Sequence, residues 1–322
     1  MTLRNAGTLI ACFAFAFASA AAAQQYPNKP VRLINPWTPA GPAEILTRIV
    51  GQKLQESLGQ PFIVENKPGA NGTIGATFVA KSAPDGYNIL FSHVGPMAIS
   101  PAVVEKMPYD TLKDFEPITQ VAAGALVLLV RNDIPITNLQ ELVAYGKANQ
   151  GKMSCGSVGP ASTSHLACEL FHLLGGVSTI HVPYKGSAPV ITDMLGGQIS
   201  ISFLNIAGVK PQLDAKQIRP VAVTTLKRSA VLPDLPAMNE VMPGFEVNSW
   251  YGMMAPAGTP KEIVNLLQRE TAKALKAPDV VERLKTLGLD PVGNTPEEHA
   301  AQLRADLERW GKVARAAKIK ID

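Results

Sequence analysis

Along this chain of 322 residues the apolar positions change period repeatedly, and each change marks an element. Residues 31–34, 61–65 and 88–91 are short runs of strand-forming residues. Between the first two, residues 43–58 place Ile45, Leu46, Ile49, Val50, Leu54 and Leu58 on one helical face, and Gly59 stops the helix. A loop at 66–72 leads into a helix of small residues at 73–80, which Pro84-Asp85-Gly86 turns back toward the third strand. The run 118–131 is longer and rich in β-formers, as expected of a segment crossing between lobes. A second alternation follows, with helices expected at 139–148, 162–174 and 189–195 and strands at 153–157, 179–182, 199–203 and 219–223. Residues 245–255 form another extended stretch, and from Thr259-Pro260, a helix-start pair, the chain reads as helical to its end. The alternation predicts an α/β protein of two Rossmann-like lobes joined by two extended crossing strands. The first lobe is expected at 24–123 and 248–322, the second at 124–247.

Residues 1–23 stand apart. One basic residue, Arg4, precedes an uncharged apolar run at 6–18 and then Ala18-Ser19-Ala20-Ala21-Ala22-Ala23. This is the pattern of a secretory signal peptide cleaved near Ala23, since the apolar run is short for a membrane span. An uncleaved anchor is the alternative. The mature protein is expected to be soluble and exported. Loss of Arg4 would take the formal charge from +4 to +3. Lys and Arg are interleaved with Asp and Glu, with no basic run beside aromatics, so nucleic acid is not an expected partner. Cys155 and Cys168 follow the leader. Export permits a disulfide, but a strand cysteine and a helix cysteine need not meet, and the sequence leaves the pairing open, with separate thiols the expected state.

Two strand-to-helix turns carry the candidate chemistry. In Asn35 to Glu44 a strand passes through a Pro/Gly turn into a helix whose first position suits Pro42. The free N–H groups and dipole of such a start favour an anion. Cys155 to His165 repeats the arrangement, with hydroxyls at Ser157, Ser162, Thr163 and Ser164 that can cap N–H groups or donate to a carboxylate. Ser92 and His93 close a predicted strand at the edge where open α/β sheets bind ligands. Trp37 and His93 flank the expected cleft. Glu44 reads first as a group complementing the helix start, and alternatively as a ligand-orienting carboxylate. Trp250, Tyr251 and Trp310 are expected to pack in the interior, and His181 and His299 have no evident partner.

Enzyme patterns are poorly matched. Gly69, Gly72 and Gly75 do not space as a dinucleotide fingerprint, and Cys155-Gly156-Ser157-Val158-Gly159 lacks the first glycine of a nucleophile elbow. His165, Cys168, Glu169 and His172 have metal-ligand spacing, yet one straight helix cannot bring all four to a single ion. No metal and no cofactor are expected. An exported hydrolase or metal-dependent enzyme on the same hinged fold is the rival reading.

A family resemblance runs through nearly all of residues 24–322. It is carried by Tyr26-Pro27-Asn28-Lys29-Pro30-Val31-Arg32, the turn before Glu44, Val64-Glu65-Asn66-Lys67-Pro68-Gly69-Ala70 and Ala83-Pro84-Asp85-Gly86-Tyr87. It continues through Gly156-Ser157 to His165, Val182-Pro183-Tyr184-Lys185-Gly186, Leu195-Gly196-Gly197-Gln198, Ser249-Trp250-Tyr251-Gly252 and Ala255 to Pro260. The chain resembles the periplasmic solute receptors of tripartite tricarboxylate transporters, the Bug-type receptors. The resemblance implies a type II periplasmic-binding-protein fold and a non-catalytic, monomeric receptor. Its lobes would close on a small organic carboxylate for delivery to the membrane subunits of a transporter. By position it points to Thr38, Ala40 and Gly41 in the first turn, to Ser157, Gly159, Ala161 and Ser162 in the second, and to Tyr184 and Asn205. With Trp37, Asn71, Ser92 and His93 these form the expected ligand-binding set. Ala40 and Glu44 depart from the family's usual second glycine and Asp. A dicarboxylate or citrate-like acid is the family default, Trp37 and His93 suit an aromatic acid, and an amino acid or nicotinate-like ligand is left open.

Overall fold

The computed structural model describes residues 26–37, 39, 42–229 and 231–320. The expected leader, and Thr38, Ala40 and Gly41 of the first turn, lie outside the described residues. The chain runs β1 (Val31–Asn35), α1 (Pro42–Leu58), β2 (Phe62–Asn66), α2 (Thr73–Ala80), β3 (Asn88–His93), α3 (Ser100–Val103) and β4 (Phe115–Val130). It continues through α4 (Leu139–Ala148), β5 (Met153–Ser157), α5 (Thr163–Gly175), β6 (Thr179–Pro183), α6 (Ser187–Leu195), β7 (Ile201–Asn205), α7 (Ile206–Asp214) and β8 (Arg219–Val223). Last come β9 (Asn248–Pro256), α8 (Lys261–Ala274), α9 (Pro278–Thr286), β10 (Asp290–Pro291) and α10 (Pro296–Ala316). None of the helices among the described residues is long and apolar enough to cross a membrane.

The strands join one curled sheet in the order β2-β1-β3-β9-β4-β7-β5-β6, with β8 and β10 also on β4. Within each half the strands that alternate with helices are parallel: β1 with β2 and β3, and β5 with β6 and β7. The two halves meet on β4, a 16-residue strand. Its residues 115–125 pair antiparallel with β9, and its residues 126–130 pair with β7 and β8. The apolar face of α1 is buried through Leu46, Val50 and Leu54, as its periodicity requires. Trp250 and Trp310 are fully buried, in one cluster with Met97, Leu166 and Phe171, so α10 packs against both halves.

Three local differences from the sequence pattern have plain causes. Helix α7 is absent from the alternation because Gly208 and Pro211 interrupt its pattern, although Pro211 lies within the helix. Helix α6 begins at Ser187, placing Pro189 in the first turn, where its missing N–H has no partner to lose. Cys155 and Cys168 are joined in a disulfide with their Cα atoms 6.3 Å apart, correcting the expectation of separate thiols. Helix α5 folds back over β5, which brings Cys168 onto its own preceding strand.

Candidate ligand-binding site

Strands β1, β3, β5 and β7 end at Asn35, His93, Ser157 and Asn205, and the segments that follow them border one cavity of about 380 Å³. Ligands bind open α/β sheets at this edge because the helices that follow the strands begin there. On one side Asn35 fixes the turn, its amide donating to Asn66 Oδ1 at 2.8 Å and to the Trp37 carbonyl at 3.3 Å. Trp37 then stands edge-on to His93, with ring centroids 5.8 Å apart, and His93 tilts against Tyr251 at 4.9 Å. All three line the cavity. His93 Nδ1 accepts from the Gly95 N–H at 3.1 Å, so Nε2 carries the ring proton and donates to Ser249 Oγ at 2.8 Å. Burial pushes the His93 pKa down to about 4, and the ring is neutral at pH 7.

The opposite side is the turn from β5 into α5. Gly159 has φ of 138°, and the Tyr184 carbonyl lies 3.3 Å from where a Cβ would stand, so backbone freedom and close approach both call for glycine. Ser162 caps α5: its Oγ accepts from the His165 N–H at 3.2 Å and donates to the Gly159 carbonyl at 2.6 Å. Ser164 Oγ accepts from the Val158 N–H at 2.9 Å. Thr163 and Ser164, which border the cavity, hold the first two helical positions, whose N–H groups have no partner within a helix. Helices α6 and α7 also begin at this cavity, through Gly186 and Ser187 and through Asn205 and Gly208. Leu126, Phe203 and Leu204 complete the wall.

A polar cluster supports the turn from behind. Ser157 is fully buried, its Oγ 2.7 Å from His181 Nε2 and within reach of Gly159. His181 stacks on His165 at 3.9 Å, and the Ala161 N–H donates to His165 Nδ1 at 3.3 Å. Glu169 lies 3.6 Å from His165 and 3.3 Å from His172. Burial opposes its charge, yet these imidazole contacts hold its carboxyl down at about 2. Burial also lowers the His181 pKa to about 4, helped by His165.

Of the residues expected to bind ligand, Trp37, Asn71, His93, Ser162 and Asn205 border the cavity together. Ser92, Ser157, Gly159 and Ala161 are not part of that lining. Ser92 is fully buried, and Ser157 is directed at His181. Tyr184 also lies outside the lining, its hydroxyl donating to Asp193 Oδ2 at 2.6 Å. Tyr251, expected only to pack, is a cavity wall, and Leu126, Phe203, Leu204 and Ser187 were not anticipated. Strand β7 is buried at its first four residues, so its alternation cannot tell which side chains face a cleft. His181 and His299 gain partners from the fold: Ser157 and His165 for the first, the edge of Trp250 at 5.1 Å for the second. Among the described residues no group of three or more His, Cys, Asp or Glu is arranged to hold a metal, and Cys168 is committed to the disulfide.

A family model described as tripartite tricarboxylate transporter family receptor (TctC) matches residues 46–319. The chain is 34% identical over 306 residues to protein BugT of Bordetella pertussis, covering 94% of each. Among solved structures it is similar to R. palustris Rpa4515 with adipate, at 36% identity and a TM-score of 0.81, covering 92% of this chain and 99% of that one. It is also similar to MatC from Rhodopseudomonas palustris with bound malate, at 31% identity and a TM-score of 0.77, covering 89% and 99%. The architecture is the two-lobe type II periplasmic-binding-protein fold of these neighbours.

Proposed function

The chain belongs to the tripartite tricarboxylate transporter receptor family, and on that premise we propose that it is a non-catalytic periplasmic receptor. It captures a small organic carboxylate between its lobes and delivers it to the membrane subunits of a transporter of that type. The observation that carries the reading is the cavity itself. Helix starts with uncommitted N–H positions border it at Thr163 and Ser164, beside the Ser162 cap, while the aromatic side chains of Trp37, His93 and Tyr251 close the other side. A carboxylate fits such a start through charge-assisted hydrogen bonds without a cationic side chain. Relatives titled with adipate and malate support the same ligand class.

In this reading Trp37, Asn71, His93, Ser162 and Asn205 act with Thr38, Ala40 and Gly41 of the first turn. The lobes divide as 24–123 with 248–322 and as 124–247. Closure follows from ligand contact with both turns, which shifts an open–closed equilibrium. The mature receptor begins near Gln24 and works as a monomer, which N-terminal sequencing and sedimentation of exported protein would check. A thermal-shift panel of carboxylates tests the function. A specific ligand at 100 times its Kd adds about 2.7 kcal/mol of stability by mass action. If no acid in a broad panel raises Tm, the receptor reading is wrong.

A further inference from the structure

We infer that His165 is a positioning residue: its neutral ring holds Ala161 where that residue's carbonyl meets Asn71, so the two sides of the cavity are joined at neutral pH and released by acid. This goes beyond the receptor reading above and needs no bound ligand.

Ala161 is held by both of its backbone polar groups. Its carbonyl accepts from the Asn71 side-chain amide at 2.9 Å, and its N–H donates to His165 Nδ1 at 3.3 Å. With φ of 55° it occupies the left-handed region, which its Cβ makes unfavourable, so it stays there only while its contacts hold it. Because Nδ1 accepts, the proton of the neutral His165 ring is on Nε2, 3.6 Å from Glu169 Oε1. A second proton can go only to Nδ1. There it would face the Ala161 N–H, donor against donor, and the bond is lost.

The groups around His165 decide which ring takes that proton. Helix α5 itself brings Glu169, which also lies 3.3 Å from His172, and His172 Nε2 is 2.6 Å from Thr179 Oγ1 on β6. Strand β6 also brings His181, stacked on His165 with the ring planes 7° from parallel. Strands β5 and β7, which pack on the same helix, carry no ionisable side chain apart from Cys155, which is in the disulfide. Helix α10 meets α5 through the apolar cluster that holds Leu303 and Trp310, and its buried Asp306 is committed to Trp250 and Arg309. Two charged imidazoles at stacking distance repel, so the stack takes one proton. Burial, helped by His165, lowers the His181 pKa to about 4, whereas Glu169 stays ionised beside His165. The proton therefore goes to His165. Its neutral form is the one that supports Ala161, so the hold is complete where the imidazole is neutral and is lost as pH falls.

NMR of the ligand-free protein, followed from pH 8 to 5, tests this. The ring 15N signals of His165 give its protonation midpoint. The backbone amide proton of Ala161 and the side-chain amide protons of Asn71 should shift with that same midpoint. In His165→Gln, whose side-chain oxygen can accept from the Ala161 N–H without titrating, both movements should vanish. In Glu169→Gln the midpoint should fall by roughly half a pH unit or more, because the partner carboxylate favours the charged ring. Asn71 signals that stay fixed while His165 titrates overturn the release of the joint. A titration of Ala161 that persists in His165→Gln overturns His165 as its source, and so does a His165 ring that stays neutral down to pH 5. If His165→Gln does not fold, Glu169→Gln decides, since an unchanged midpoint overturns the assignment. Failure of every carboxylate to bind would end the receptor reading and leave these outcomes as they are.

Discussion

The side-chain amide of Asn71 donates to the backbone carbonyl of Ala161 at 2.9 Å, across 90 positions of sequence. Both residues have left-handed backbone conformations, with φ of 51° for Asn71 and 55° for Ala161. Asn tolerates that region through its short polar side chain, whereas a Cβ makes it unfavourable for Ala. The bond therefore ties the loop before α2 to the most strained position of the turn before α5. It joins the two sides of the cavity without using ligand.

Asn71→Ala removes this bond and the one to Ser100 Oγ, and trims the cavity lining to which Asn71 belongs. The expected loss is about 1 kcal/mol in the closed form, the net worth of one neutral hydrogen bond. Affinity for a bound carboxylate should fall roughly fivefold, since 1.4 kcal/mol corresponds to about tenfold. Calorimetric titration measures it, and an unchanged Kd would show that Asn71 does not help hold the closed form.

Gly75 is a packing glycine. A Cβ there would lie 2.9 Å from Pro36 Cβ and 3.0 Å from the Lys67 carbonyl, so α2 can approach the first turn only without a side chain. Gly75→Ala should push Pro36 outward, carry Trp37 with it, and cost about 1–3 kcal/mol as an overpacked contact does. Thermal unfolding reads the stability. The fluorescence of Trp37, against a Trp37→Phe background, reads the displacement.

The Cys155–Cys168 bond spans 13 positions inside one β–α unit. By the chain-entropy relation a loop of this size is worth about 3 kcal/mol. Cys155→Ala with Cys168→Ala should lower unfolding stability by that order in denaturant titration. Because Cys168 sits on the helix whose start borders the cavity, ligand affinity should fall as well. A double variant as stable as the parent would contradict the assignment of the bond as a structural tie.

Acid should destabilise the protein through buried histidines. His93 and His299 are each held near pKa 4 by burial, below the usual value of 6.5. Their folded pKa values are depressed, so the stability they contribute is complete above about 6.5 and is lost as pH falls through 6.5 toward 4. Asp306 has the opposite slope. Burial raises its pKa to about 6, although the Trp250 indole N–H donates to its Oδ2 at 2.7 Å, so its contribution is lost as pH rises through 6. His93→Asn, which preserves an acceptor for Gly95, should flatten the fall in Tm between pH 6.5 and 4.5. Asp306→Asn should raise Tm at pH 7.5 more than at pH 4.5.

The strand–helix alternation, the two extended stretches and the two glycine-bearing turns are local properties, so each could be read from the order of residues. Ala43 to Leu58 buries one face because apolar residues recur at helical spacing. Ser162 caps its helix because hydroxyl, position and the following apolar run coincide within four residues. The ordered motifs also carry the family, since they are linear. What the chain does at long range is different in kind. Ser157 and Ser162 look alike in sequence, yet one turns back to His181 and the other stays at the cavity edge, a choice made by where β6 places His181. Strand β7 is apolar or small on both faces, so only its register against β4 sets Leu204 and Phe203 at the cavity. Cys155 meets Cys168 because α5 folds over β5, and Asn71 meets Ala161 because two turns 90 residues apart face one another. Periodicity determined the elements because burial repeats along a helix or strand. The site was decided by tertiary structure because it is assembled from the ends of strands, where periodicity stops.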